Sequence, residues 1–265
     1  MHAIRSIPET THTQAEHKFF RLFLDATMTW SAAYFPQQDM TLEEAQIAKY
    51  ERLCSQLRLS AADHLLEMGT GWGGNAIFMA GRYGCRVTTL TMSEEQYALV
   101  TRRIKAAGLG HRVTVLLEDY HAVSGCFDKI VSVENAGLAN DQGLDGWFLK
   151  CHEWLKPGGR LALQIVTCPD SRYDHPSLEA INNAVGRTGD MTLIDWKDLG
   201  LHYAATLKLW YMQFNSRLAK IKALGFDDRF IRKWNDYFCS MEAAFRLRDL
   251  HVLQLAYARP RDPSR

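Results

Sequence analysis

The sequence predicts an α/β fold built on a doubly wound, mostly parallel sheet. Two observations carry that expectation. Short β-rich runs ("HLLEMG", "CRVTTLTM", "RVTVLLED", "FDKIVSVEN", "RLALQIVT") alternate with amphipathic helical stretches, the order expected of parallel strands joined by crossover helices. A glycine-rich turn, with Gly69, Gly71, Gly73 and Gly74 inside six positions, joins the first run to the first of those helices. A length of 265 residues is enough for one such domain with appended elements.

The elements follow in order. After a polar start, "FFRLFLD" predicts a short helix that ends before "ATMTWSAAYF". In "TLEEAQIAKYERLCSQLRL", Leu42, Ala45, Ala48, Leu53 and Leu57 fall at helical spacing, and Thr41 with Glu44 forms a capping box. "HLLEMG" is a strand, and "GNAIFMAGRYG" a helix closed by Gly84. Ser93 caps "EEQYALVTRRIKAAG", which follows the second strand. "WFLKCHEWL" is a helix stopped by "KPGG" before the fifth strand. Residues 168–201, rich in Asp, Asn and Gly, read as irregular. "YAATLKLWYMQFNSRLAKIKAL" and "RFIRKWNDYFCSMEAAFRLRDL" predict two amphipathic helices, and "HVLQLAYAR" a last strand. The chain divides into an N-terminal helical region (1–58), a ligand-binding core (59–167), and a lid with C-terminal helices and the final strand (168–265).

Composition narrows the function. The net charge is +1 with acids and bases interspersed, so neither a nucleic-acid footprint nor a polybasic membrane anchor is indicated. Cys54, Cys85, Cys126, Cys151, Cys168 and Cys239 lack zinc-ligand spacing, which argues against a metal cage and fits a reducing compartment. The N-terminus has no apolar signal core, and no run reaches the roughly 18 apolar residues that span a bilayer. A cytoplasmic location is expected.

Glycines between a strand and a helix let backbone N–H groups approach a ligand at the helix N-terminus. Glu67 lies two residues before Gly69, giving E-x-G-x-G-x-G rather than the dinucleotide fingerprint G-x-G-x-x-G. A carboxylate there suits a cationic ligand end or a backbone amide and would repel a pyrophosphate. The following strand, ending "TLTMSEEQ", lacks the acid that a nicotinamide ribose needs.

Eight stretches ("FFRLFLDATMTWSAAYF", "TLEEAQIAKYERLC", "LLEMGTGWGG", "YGCRVTTLTMSEEQ", "FDKIVSVE", "LKPGGRLALQ", "HYAATLKLW" and "GFDDRFIRKWNDYF") together resemble the cyclopropane-fatty-acyl-phospholipid synthase family. The resemblance runs from about Lys18 to Tyr257. It implies a Rossmann-like, class I methyltransferase core with a seven-stranded sheet, N-terminal helices and a C-terminal helical cap. It also implies S-adenosyl-L-methionine, or its product S-adenosyl-L-homocysteine, as cofactor. Carried over position by position, Gly69, Gly71 and Gly73 line the methionine and ribose portion, and Trp72 shapes the turn. Thr91 and Gln96 bind around the ribose hydroxyls, while Asp119 and Tyr120 grip adenine. Trp30 and Ser31 match a Tyr-Ser pair near the amino-acid end, and Glu134 is read as a contact to cofactor or backbone. Tyr120 is equally readable as a core residue, and Ser93 is explained by capping alone.

The resemblance breaks at a second site. Synthases of this family hold a bicarbonate base beside the reacting methyl with a Cys, a Glu, a His, an aliphatic backbone position and a Tyr. Here the corresponding residues are Ala32, Gly137 (followed by Leu138), Gln164 and Val166, and only Tyr237 is retained. Ala and Gly supply neither the donors nor the carboxylate that anion capture requires. Glu134 lies three residues before the missing carboxylate, an offset that on an extended strand points to the other face. Tyr237 and Gln164 are therefore the candidate catalytic residues. The helical insert that covers an acyl chain in the family is also reduced to residues 168–201, which leaves the acyl tunnel shortened, open or completed by a partner. The expected reaction is C-methylation of an unsaturated fatty-acyl or other lipid-like carbon without bicarbonate. The alternatives are desaturation, isomerisation or cyclisation on the same fold, or a non-catalytic cofactor-binding subunit. A small-molecule or lipid acyl substrate leaves peripheral membrane contact, self-association and a lipid-modifying partner enzyme open.

Overall fold

A computed structural model describes residues 16–135, 143–169, 173 and 175–261. Seven strands form one sheet: β1 (His64–Met68), β2 (Arg86–Thr91), β3 (Val113–Leu117), β4 (Phe127–Val133), β5 (Leu155–Thr167), β6 (Thr192–Asp198) and β7 (His251–Ala258). Their spatial order is β3-β2-β1-β4-β5-β7-β6. The first five run parallel, and β7 is antiparallel to both neighbours. The order reverses between β1 and β4, so a crevice opens at their carboxyl ends, where doubly wound sheets bind ligands.

Helices α2 (Leu42–Leu57), α3 (Gly74–Tyr83), α4 (Glu94–Ala106), α5 (Gly143–Trp154) and α6 (Leu178–Thr188) flank the sheet, after the short α1 (Glu16–Phe20). Both sides of the capping box at Thr41 and Glu44 are made, and Ser93 Oγ accepts the Gln96 N–H at the start of α4. Gly84 closes α3 in the left-handed conformation, its N–H donating to the Ala80 carbonyl. Helices α7 (Gly200–Ser216), α8 (Leu218–Ala223) and α9 (Asp228–Arg246) follow. Arg217, at φ −118° and ψ 15°, breaks the single helix expected between His202 and Leu224 into α7 and α8.

Residues 168–201 are not irregular throughout. Ser177 caps α6, whose Ile181, Ala184 and Val185 are buried, and β6 pairs with β7 at the sheet edge. Burial along β6 is weak, with Trp196 57% exposed, so its strand character comes from pairing rather than from an apolar pattern. An aromatic core joins α1, α7 and α9: Phe19, Phe23, Trp210, Phe214, Trp234 and Phe238 are all buried. Cys54, Cys85, Cys151 and Cys168 are buried, while Cys126 and Cys239 are exposed. No helix among the described residues is long and apolar enough to cross a membrane.

Candidate active site

The turn after β1 is shaped by glycine. Gly71 stands at φ +50° with open space where a Cβ would project, and it lines a cavity of about 350 Å³. Gly74 is required by close approach, since a Cβ there would lie 2.5 Å from the Thr27 carbonyl oxygen and 2.8 Å from the Tyr50 hydroxyl. The N-terminal segment is thus pressed against the turn. Arg103 fastens the two together, donating to the carbonyls of Ala26, Thr27 and Trp72.

The cavity lies at the carboxyl ends of β1 and β4. Trp30, Ser31, Gly69, Gly71, Trp72, Gln96 and Glu134 line it, so seven of the sequence-predicted cofactor residues converge there. Gly73 sits behind them as the N-cap of α3. Thr91 donates to Gln96 Oε1 at 2.7 Å and so orients a lining residue from outside. Asp119 and Tyr120 lie beyond the lining, at a short 3-10 turn (Tyr120–Ala122) after β3, where Asp119 Oδ1 accepts the His121 N–H at 2.8 Å. Gly137 and Leu138 lie outside the described residues.

Glu67 ends up in the cavity wall, 2% exposed, with both carboxylate oxygens engaged. Oε2 accepts from Thr89 Oγ1 at 2.6 Å and Oε1 from Asn75 Nδ2 at 2.8 Å. Its partners within the chain are two side chains, where the sequence suggested a cationic ligand end or a backbone amide. Burial pushes its carboxyl up to about 7 against those two hydrogen bonds.

Glu134 corrects the strand-offset expectation. β4 ends at Val133, and Glu134 adopts φ +45°, so alternation along the strand no longer decides where its side chain goes. Its Oε1 accepts the Ala32 N–H at 3.0 Å and Gln164 Nε2 at 2.7 Å. Gln164, fully buried on β5, also donates to the Ala32 carbonyl at 3.1 Å and accepts from Gln254 Nε2 at 2.8 Å. The two positions expected to be an emptied anion cage thus grip a carboxylate of the chain itself.

Tyr203 and Tyr237 extend this cluster. The Tyr203 phenol lies within electrostatic reach of Glu134 and of the Tyr237 phenol. Burial and the charge of Glu134 push both phenols upward, toward the protonated form. Val166 is half-buried against the same aromatic core. Trp30 stacks on Trp210 with centroids 4.3 Å apart and brings an indole face to the cavity.

The sequence reading missed Lys49, Gln46 and Tyr203. Lys49 is fully buried, donates to Ser31 Oγ at 2.7 Å and lines the cavity. Burial pushes its ammonium down, opposed by Glu134 and Asp25. Gln46 Nε2 donates to the Ser31 carbonyl at 3.0 Å. Both residues fall on the apolar stripe of α2, where a buried lysine was a legible signal.

A cavity of this size is within the range of small-molecule sites. Its glycine floor gives a ligand close access to backbone, and Thr70 Oγ1 and Asn75 Oδ1 in its wall are buried without a hydrogen-bond partner. Ser31, Lys49 and Glu134 offer polar and charged groups of both signs, which suits a zwitterionic amino-acid end and a sulfonium. The sheet order, the glycine turn and this cavity are those of the class I S-adenosylmethionine-dependent methyltransferase fold.

More specifically, the chain belongs to the mycolic acid cyclopropane synthetase family, which residues 5–255 match. It is 35% identical to tuberculostearic acid methyltransferase UfaA1 of Mycobacterium tuberculosis over 95% of this chain and 65% of that protein. It is 31% identical to the cyclopropane-fatty-acyl-phospholipid synthase of Escherichia coli strain K12, over 94% of this chain and 66% of that one. The chain therefore spans about two thirds of the length of these relatives. Among solved structures, the fold superposes on mycolic acid cyclopropane synthase CmaA1 complexed with SAH and CTAB at a TM-score of 0.87, with 26% identity over 94% of this chain and 96% of that one.

Proposed function

We propose that this chain transfers a methyl group from S-adenosylmethionine to a carbon of an unsaturated fatty-acyl or similar lipid-like substrate, and that it does so without bicarbonate. The observation that carries the reading is the Glu134 carboxylate, held by the Ala32 N–H and the Gln164 amide where the family resemblance calls for a bound anion. Donors already engaged by the chain's own carboxyl group are not free to hold a second anion. The likeness to a tuberculostearic acid methyltransferase and to a cyclopropane-fatty-acyl-phospholipid synthase supports the substrate class.

In this reading the bound cofactor supplies an electrophilic methyl on a sulfonium. Gly69 and Gly71 let the backbone approach it, and Ser31, fixed by Lys49 and Gln46, holds the amino-acid end. Gln96, oriented by Thr91, reaches the ribose, and Asp119 with Tyr120 recognises adenine from the rim. The Trp30 indole, backed by Trp210, offers a π-face to the positive charge that develops on the substrate carbon. Phe20 and Trp72 extend an apolar wall that excludes water.

The test is mass spectrometry of acyl lipids and free fatty acids after incubation with methyl-labelled S-adenosylmethionine, with bicarbonate removed and then restored. A product heavier by one labelled methyl, formed equally in both conditions, is expected. An unlabelled product lighter by two hydrogens points to desaturation, and strong rescue by bicarbonate overturns the proposed independence.

A further inference from the structure

We propose that Glu134 is the general base of this site, its carboxylate taking the proton that the substrate loses after methyl addition. The proposal rests on the C-methyltransferase reading and names the residue that completes its reaction.

Three features carry it. The first is position. Glu134 lines the cavity in the same wall as Ser31, Lys49 and Gly69, so its side chain borders the space where the methyl donor's amino-acid end belongs. The second is conformation. A non-glycine residue at φ +45° is strained, and such strain persists where the surroundings over-determine the residue, most often at functional sites. The third is support. The Ala32 N–H and Gln164 Nε2 hold Oε1, Gln254 holds Gln164 in turn, and the Glu134 N–H donates to the Gln164 carbonyl at 2.8 Å. This network fixes a carboxylate at the cavity wall through the backbone of two elements.

The titratable groups that face Glu134 are Lys49, Tyr203 and Tyr237. Burial raises the carboxyl above its ordinary value, while Gln164, Lys49, the Ala32 N–H and Tyr203 oppose that rise. A carboxylate moved toward neutrality is a better proton acceptor than an exposed one. Neither phenol competes for the role, because both are pushed further into the protonated form.

The step balances without a further reagent. The substrate's π pair forms the new carbon–carbon bond to the methyl, and the methyl–sulfur pair stays on sulfur. The adjacent carbon is left positive. Glu134 then accepts a proton from a neighbouring carbon, and the released C–H pair forms a double bond or closes a three-membered ring. The proton leaves the carboxyl for solvent after product release.

The experiment uses the purified full chain, vesicles of a phospholipid with monounsaturated acyl chains, and labelled S-adenosylmethionine. Absence of labelled wild-type product overturns the methyltransferase reading itself and is thereby distinguished from failure of the base assignment. For Glu134→Gln at saturating S-adenosylmethionine, kcat is expected to fall by about 10²–10⁴-fold, a larger factor than any rise in the calorimetric Kd for S-adenosylmethionine. Infrared difference spectra of carboxyl-labelled wild type against Glu134→Gln, recorded without substrate, are expected to show a carboxyl titrating above 4.5. Glu134→Gly removes the carboxylate and the positive-φ strain together, and added formate is expected to restore part of its turnover. An unchanged kcat in Glu134→Gln overturns the proposal, as does a raised Kd with kcat intact, which makes Glu134 a cofactor ligand only. If Glu134→Gln does not fold, failure of formate to rescue Glu134→Gly decides against it.

Discussion

Gln164 connects Glu134 to the last strand: its amide nitrogen donates to the Glu134 carboxylate at 2.7 Å, while its carbonyl accepts from Gln254 at 2.8 Å. One neutral side chain therefore satisfies partners on both sides inside a fully buried region. Gln164→Leu should leave Glu134, the Ala32 carbonyl and Gln254 short of a partner. A loss of about 1–3 kcal/mol is expected from urea denaturation, the usual cost of an unpaired buried polar group. An unchanged midpoint shows that the network is dispensable to stability.

Gly71 lines the cavity at φ +50°, so Gly71→Val introduces both backbone strain and a branched side chain facing the ligand. Calorimetry should record S-adenosylmethionine binding at least tenfold weaker, about 1.4 kcal/mol. Undiminished binding moves the cofactor away from this turn.

At the rim, Asp119→Ala should weaken cofactor binding by about 1–3 kcal/mol. Asp119 also accepts the His121 N–H, so melting temperature is measured alongside affinity. An unaltered Kd with a lowered melting temperature reduces Asp119 to a cap of its turn.

Glu67 makes stability depend on pH. Its folded-state carboxyl sits at about 7 against 4.5 for the ordinary group, so the folded protein binds this proton more tightly than the unfolded chain. Its contribution to stability is fully present below 4.5 and is lost as pH rises through about 7. The loss is on the order of 3 kcal/mol. Glu67→Gln should flatten the stability profile across that window. Melting curves recorded across it for both proteins make the comparison, and parallel profiles contradict the assignment.

Burial and the charge of Glu134 push the Tyr237 phenol upward, so a donor's role is expected of it rather than a base's. Tyr237→Phe removes the hydroxyl near Tyr203 and leaves the ring packed against Trp234 and Phe238. Turnover should fall roughly tenfold or more if the hydroxyl helps move or orient a proton, with near-UV circular dichroism unchanged. Wild-type turnover makes Tyr237 a packing residue only.

Local signals made much of this fold legible. The capping box at Thr41, the Ser93 cap, the Gly84 stop and the glycine turn act over a few residues, and each is found as read. β6 was not legible, because its strand state depends on β7, some sixty positions later, and its outward side chains are mixed. The cofactor wall was partly legible through motif spacing. Glu134 was not, because a left-handed glutamate after a strand has no signature in composition or periodicity. Lys49 was overlooked although it interrupts the apolar face of α2, where only a buried partner such as Ser31 makes a lysine tolerable.

Phe20, Trp30, Ser31 and Lys49 all precede the first strand, yet they form a wall of the same cavity as Gly69 and Gly71. A chimera that grafts only the sheet and its glycine turn onto another scaffold would carry half a binding site. A segment swap that is to preserve this cavity must therefore keep residues 20–50 with the sheet. The inheritable unit of chemistry in this chain is the cap and sheet together.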